Sequence, residues 1–249
     1  MTKRYVHLNC DMGEGYGIWK LGPDEELMPL IKSANIACGF HGSDPMTMVK
    51  TVRLAKKHGV PVGAHPSFPD REGFGRRRMI MTQEEIKASV LYQVGALCAI
   101  LQSEDIPLNH IKPHGALYIE SARDEEYCDA VMAACATFKV PVYGIKGSFH
   151  EKYCKKYGIK FIPEAYPDVN FADDGSILSL TIHGGRPTDQ VKDALRQILY
   201  EDTVDAKSGK KIQFDFANEP EITVCLHSDL PDAVLKAQQI NELLAEVNA

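Results

Sequence analysis

Residues 108–118 read Leu-Asn-His-Ile-Lys-Pro-His-Gly-Ala-Leu-Tyr (LNHIKPHGALY), a run that reads as a buried strand until Pro113 and Gly115 interrupt it. Lys112 and His114 stand at that exit, two residues apart. Strand side chains two apart share a face, so both ionisable groups leave the strand on the same side. Six other short runs have the same character: YVHLNC (5–10), SANIACG (33–39), VPVGAH (60–65), VPVYGI (140–145), IKFIPE (159–164) and ITVCLH (222–227). All read as near-continuous apolar strands, the pattern of a parallel sheet covered on both faces.

Apolar residues recurring three and four apart predict helices over 45–59, 82–104, 124–139, 148–158 and 187–202. Thr82 stands three before Glu85 as a capping box, Asp44-Pro45 and Arg186-Pro187-Thr188 open helices, and Gly59 and Gly158 close them. Alternating strand and helix gives an α/β fold with a parallel sheet. A dinucleotide-binding open sheet needs G-x-G-x-x-G after the first strand. Gly13-Glu14-Gly15-Tyr16-Gly17 has the wrong spacing and puts a carboxylate toward any phosphate. Polar residues at nearly every strand exit favour a (β/α) TIM-like barrel instead. One domain over residues 1–249, with seven parallel strands, is expected. Two connections exceed a minimal barrel, 66–79 (PSFPDREGFGRRRM) and 165–185 (AYPDVNFADDGSILSLTIHGG), and loops of that length commonly serve function.

The exits supply Asp11 and Glu14, then His41 and Asp44, then His65, then Lys112 and His114, then Glu164, then His227 and Asp229. Only the fifth strand brings none. A single such residue is readily explained as a cap or a hydrogen-bonded core histidine. Collected at one end of a barrel, these groups must pair, bind metal or line a solvated cleft, which points to a site. Lys112 needs a carboxylate partner or a perturbed pKa, and Asp11 and Glu14 are its candidates. Asp11, His41 and His65 have the donor types of a hydrolytic metal site with an open position, although no local H-x-x-H spacing occurs. Arg76-Arg77-Arg78, flanked by Gly73 and Gly75, is either a solvated patch or a lid bringing Arg76 and Arg77 onto a carboxylate or phosphate.

Composition excludes other classes. With 28 Lys+Arg against 34 Asp+Glu the formal charge is −6, and no broad basic face for nucleic acid is expected. No run suggests a membrane span, and the opening MTKRYVHLNCDMGE lacks a signal-peptide hydrophobic region, so the cytosol is the expected location. Seven cysteines without a C-x-x-C pair read as reduced, mostly buried thiols.

HLNCDMGEGYG (7–17), ANIACGFHGSDP (34–45), VGAHPSFPDREGFGRRRM (62–79) and HIKPHGALY (110–118), with ITVCLHSDLPDAV (222–234) near the end, resemble the LamB/YcsF family. The resemblance implies a seven-stranded barrel of the glycoside hydrolase/deacetylase group. It also implies a part in opening the lactam of 5-oxoproline (pyroglutamate) to glutamate, driven by ATP and carried out with two further 5-oxoprolinase subunits, B and C. Transferred by position, Asp11, Glu14, His41, His65, Lys112 and His114 fall in the site. Arginines are expected from the resemblance where this chain has Val169 and Leu180.

An unstrained lactam is a stable amide. Opening it requires carbonyl activation by phosphorylation or metal, or strong oxyanion stabilisation with a placed base. Asp11 or His41 is the expected base, Lys112 the group facing developing negative charge, and His65 and His114 the groups that position the carbonyl or a divalent metal. Glu14, Arg76, Arg77, Glu164 and His227 are expected substrate contacts. A free-standing metal-dependent hydrolase or deacetylase on the same barrel, and a non-catalytic lactam-binding subunit, remain open, as does assembly into a homo-oligomer.

Overall fold

A computed structural model describes residues 4–249, so the first three residues of the opening segment lie outside it. Nine strands run in chain order: β1 (Tyr5–Met12), β2 (Ser33–Ala37), β3 (Val62–His65), β4 (Leu108–Ile111), β5 (Val142–Gly144), β6 (Phe161–Ala165), β7 (Thr203–Asp205), β8 (Lys211–Gln213) and β9 (Glu221–Leu226). Seven of them close a parallel barrel in the order β1-β2-β3-β4-β5-β6-β9, and these are the seven runs expected from the sequence. β7 and β8 form a separate antiparallel hairpin, paired Val204 to Ile212, which the helix and strand periodicities do not anticipate.

The helices are α1 (Asp24–Leu27), α2 (Pro45–His58), α3 (Gln83–Ser103), α4 (Gly115–Arg123), α5 (Glu125–Cys135), α6 (Phe149–Tyr157), α7 (Leu180–His183), α8 (Thr188–Arg196) and α9 (Ala233–Val247). Their ends follow local chemistry. The Asp44 carboxylate accepts from Met46 N and Thr47 N at the start of α2, and the Thr82–Glu85 capping box opens α3. Gly59 and Gly158, at φ 66°, close α2 and α6 in the left-handed conformation that glycine adopts freely. By length and composition α3, at 21 residues, could cross a membrane, contrary to the sequence expectation. Its buried stripe Ile86, Val90, Val94, Leu97 and Leu101 instead joins the hydrophobic core, and the helix packs on α5.

The barrel strands are not the apolar runs they resemble. Along β1 the alternate residues Val6, Leu8, Cys10 and Met12 enter the hydrophobic layer, while His7, Asn9 and Asp11 hydrogen-bond to other polar groups. Both sets are buried, so burial alone shows no alternation. The interior is a polar stack in place of the branched aliphatic layers usual in such barrels. His110 Nε2 donates to Asn35 Oδ1 (2.7 Å), and Asn35 Nδ2 donates to Asn9 Oδ1 (2.6 Å) and Asp11 Oδ1 (2.8 Å). Asn9 Nδ2 in turn donates to Glu164 Oε1 (2.8 Å) and Thr223 Oγ1 (2.7 Å). The stack needs a gap in β3: a Cβ on Gly63 would lie 2.1 Å from the His110 ring.

Outside the barrel, His150 is fully buried between Ser121 Oγ (2.8 Å) and Ile145 N (3.2 Å), and burial lowers its pKa from 6.5 to about 3. The unfolded chain therefore binds a proton at this residue that the folded chain refuses. The resulting stability is fully present above pH 6.5 and is lost as pH falls from 6.5 toward 3. We expect the parent to lose about 2 kcal/mol relative to His150→Gln between pH 6 and pH 4, read from urea unfolding midpoints. A pH-independent difference would show that His150 titrates alike in both states.

Candidate active site

The barrel's carboxyl end gathers most of the residues expected there. Asp11 is the penultimate residue of β1, and the turn beyond the strand carries Glu14; β3 ends on His65; Lys112 and His114 follow β4. Lys112 Nζ lies 2.7 Å from Asp11 Oδ1 and 3.5 Å from Glu164 Oε1, and also donates to Cys225 Sγ at 2.9 Å. All four side chains are buried. Burial opposes both charges, but His65 and Lys112 hold the Asp11 carboxyl well below its usual range. Asp11, with Cys225 and Glu164, likewise holds the lysine well above its own. The pair is ionised in the folded chain.

Glu14 behaves oppositely. Burial, with Asp11 and Asp229 as neighbours, pushes its carboxyl well above the ordinary value. It meets His41 Nε2 at 3.0 Å and His114 Nδ1 at 3.5 Å. The His41 and His114 rings stack at 3.7 Å, and His65 sits edge-on to both. Glu14, His41, His65 and His114 each offer a ligand atom within 4.8 Å of the others, a cluster able to hold a metal ion; Asp11, Cys225 and His227 form a second such group.

A cavity of about 370 Å³ opens over this floor. Asp11, His65, Lys112, His114, Arg76 and His227 line it, whereas Glu14, His41, Glu164 and Arg77 do not. Glu164 lies below, accepting from Asn9 and from the hydroxyls of Tyr118 and Tyr166. Arg76 is held by Asp229 Oδ2 at 2.8 Å, and Arg77 turns outward onto Asp70. Burial lowers the His227 pKa, but Asp168, 3.1 Å away, more than reverses this, leaving it above the usual histidine value. Val169 and Leu180 both line the cavity, beside Ile177 and Leu178, and give it an apolar wall.

The connection 66–79 is clamped in place. His114 Nε2 donates to Phe74 O (2.8 Å), Ala116 N to Gly75 O (2.8 Å), and Arg71 Nη1 to Ser43 O (3.2 Å). Phe74 has φ 54°, a conformation unusual outside glycine, and a Cβ on Gly75 would lie 2.8 Å from His114 and 2.9 Å from His41.

Tyr118, Tyr166 and Asp168 are participants that strand-exit counting does not reach, since two lie beyond β6 and one inside α4. Asn9, Asn35 and His110 carried a usable signal. Asn9 and His110 precede Asp11 and Lys112 by two residues, and so share their faces.

The charge pair makes its own prediction. Lys112→Met removes the ammonium partner of the buried Asp11 and leaves it only Asn35 and His65, at an expected cost of up to about 3–5 kcal/mol. Asp11→Asn with Lys112→Met should recover most of that loss. Urea unfolding of both single variants and the double variant measures the coupling, and strictly additive losses would deny it.

The family model described as the LamB/YcsF family matches residues 6–249. A Thermus thermophilus protein named as the A subunit of 5-oxoprolinase is 42% identical over 97% of this chain and 96% of its own length. An Emericella nidulans lactam utilization protein lamB is 41% identical over 99% and 96%. The crystal structure of a lactam utilization protein from Thermus thermophilus superposes with a TM-score of 0.85, at 39% identity over 97% of this chain and 96% of that one. With matches this extensive across a shared barrel, the chain belongs to the LamB/YcsF family.

Proposed function

We propose that this chain is the lactam-binding, ring-opening subunit of a hydrolase acting on 5-oxoproline, which works with ATP and two further subunits of the B and C kind. One observation carries the reading: an ionised Asp11–Lys112 pair at the floor of a cavity whose wall also presents Arg76 and His227. Relatives named as the A subunit of 5-oxoprolinase and as a lactam utilization protein support the substrate class.

5-Oxoproline carries a ring carbonyl and a carboxylate. Arg76, held by Asp229, and the cationic form of His227 supply positive charge for the carboxylate. Lys112 faces the oxygen on which negative charge develops as the amide is attacked. Asp11 reaches the cavity as an anion and is the base for the attacking nucleophile; His41, set behind His114, acts by positioning. ATP, hydrolysed to ADP and phosphate with the partner subunits, would supply the driving force for ring opening. Free cysteines throughout the described residues agree with a reducing, cytosolic location.

Turnover of 5-oxoproline by the chain with its B and C partners should require ATP. Arg76→Gln should raise KM about tenfold or more with a smaller change in kcat, as expected for lost carboxylate binding. Full turnover by the chain alone without ATP would favour a free-standing hydrolase. Unchanged turnover in Asp11→Asn and Lys112→Met would reduce the chain to a binding subunit.

A further inference from the structure

His65 and His114 each spend one ring nitrogen on a backbone carbonyl. His65 Nδ1 lies 2.7 Å from Lys112 O, and His114 Nε2 lies 2.8 Å from Phe74 O. A carbonyl only accepts, so each of these nitrogens carries the ring proton, and the other nitrogen of a neutral ring is a bare lone pair. The two bare nitrogens, His65 Nε2 and His114 Nδ1, face each other at 2.9 Å. Carboxylate oxygens flank them: Asp11 Oδ2 is 3.3 Å from His65 Nε2, and Glu14 Oε1 is 3.5 Å from His114 Nδ1. Two lone pairs facing each other at 2.9 Å repel unless a proton or a cation lies between them, and His65, His114 and Glu14 offer atoms within 4.8 Å of one another with Asp11 Oδ2 beside His65.

We propose that a divalent transition-metal ion of the zinc class binds among His65 Nε2, His114 Nδ1, Asp11 Oδ2 and Glu14 Oε1, open to the cavity on one side. Zinc bonds of about 2.0–2.2 Å in tetrahedral array place donors about 3.3–3.5 Å apart. The observed separations of 2.9, 3.3 and 3.5 Å need only small adjustment. Two imidazoles with two carboxylates suit such an ion, and a carbonyl behind each imidazole is the outer partner that metal-bound histidines use. Asp11, His65 and His114 line the cavity, so the ion has a route in. Asp11 Oδ1 stays with Lys112, leaving Oδ2 for the ion, so the base role of Asp11 belongs to the ion-free chain and with the ion bound Asp11 is a ligand.

Of the donors Asp11, His41 and His65 considered from the sequence, this set omits His41. Its ring is within 3° of parallel to that of His114, with centroids 3.7 Å apart. An ion about 2.1 Å from both nitrogens would lie over the rings, away from the in-plane lone pairs. His41 Nε2 instead donates to Glu14 Oε1 at 3.0 Å, and its Nδ1, then bare, has no partner among the described residues. His41 is a positioning residue for Glu14.

The test needs no lactam, so its failure leaves the substrate reading standing. The intact chain, stripped with chelator, is titrated with Zn²⁺ in a calorimeter and with Co²⁺ by visible absorption. One ion per chain should bind in each case. His65→Gln and His114→Gln should each weaken Zn²⁺ binding about 100-fold or more, and His41→Gln no more than about tenfold. Absence of saturable binding to the parent chain, which involves no variant that could misfold, overturns the proposal. So does a loss in His41→Gln equal to that in both other variants, or a nitrogen-15 spectrum of the Zn²⁺-treated chain in which the His65 and His114 rings do not respond.

Discussion

The ion pair between Lys112 and Asp11 is the constraint around which the barrel interior is arranged. Removing two charges from water costs several kcal/mol apiece unless their remaining donors and acceptors are met. Asn35 therefore donates to the same Asp11 oxygen as Lys112, and is itself held by His110. His110 requires β3 to present no side chain at Gly63. A demand made at the rim is thereby met by a residue deep in another strand. Such a network is stable only when every member is satisfied, which ties the barrel's register to its chemistry.

Much of this was legible in the sequence because strand exits are local features. A short buried run followed by Asp11, His65 or Lys112 declares both the strand and the rim residue. What lay within the runs was harder to see, since Asn9, Asn35 and His110 sit among apolar neighbours whose burial conceals the alternation. Arg76 and Arg77 are adjacent in sequence but point to opposite fates, Asp229 inside and Asp70 outside, because only the folded loop decides which way each turns. The hydroxyls of Tyr118, in α4, and Tyr166, beyond β6, meet at Glu164, a convergence that no spacing encodes.

The cavity has two kinds of wall. Its floor is polar and comes largely from strand ends, held by the barrel's ladder of hydrogen bonds, whereas Val169, Ile177, Leu178 and Leu180 come from the long connection after β6. Charge is thus placed where the backbone is hydrogen-bonded into the barrel, and apolar surface on the long connection outside it. Precise geometry matters for hydrogen bonds and charges more than for apolar contact. The division lets side chains on the apolar side vary without moving the charged floor.

The connection 66–79 is long enough to suggest a place where insertions and deletions would be tolerated. Its carbonyl at Phe74 nevertheless decides which nitrogen of His114 carries the proton, and Gly75 lies against two histidines with no room for a methyl group. Change in the length of this loop would therefore alter the tautomer of a site residue before it altered any surface. For a lineage carrying this barrel, novelty is cheaper after β6 than after β3.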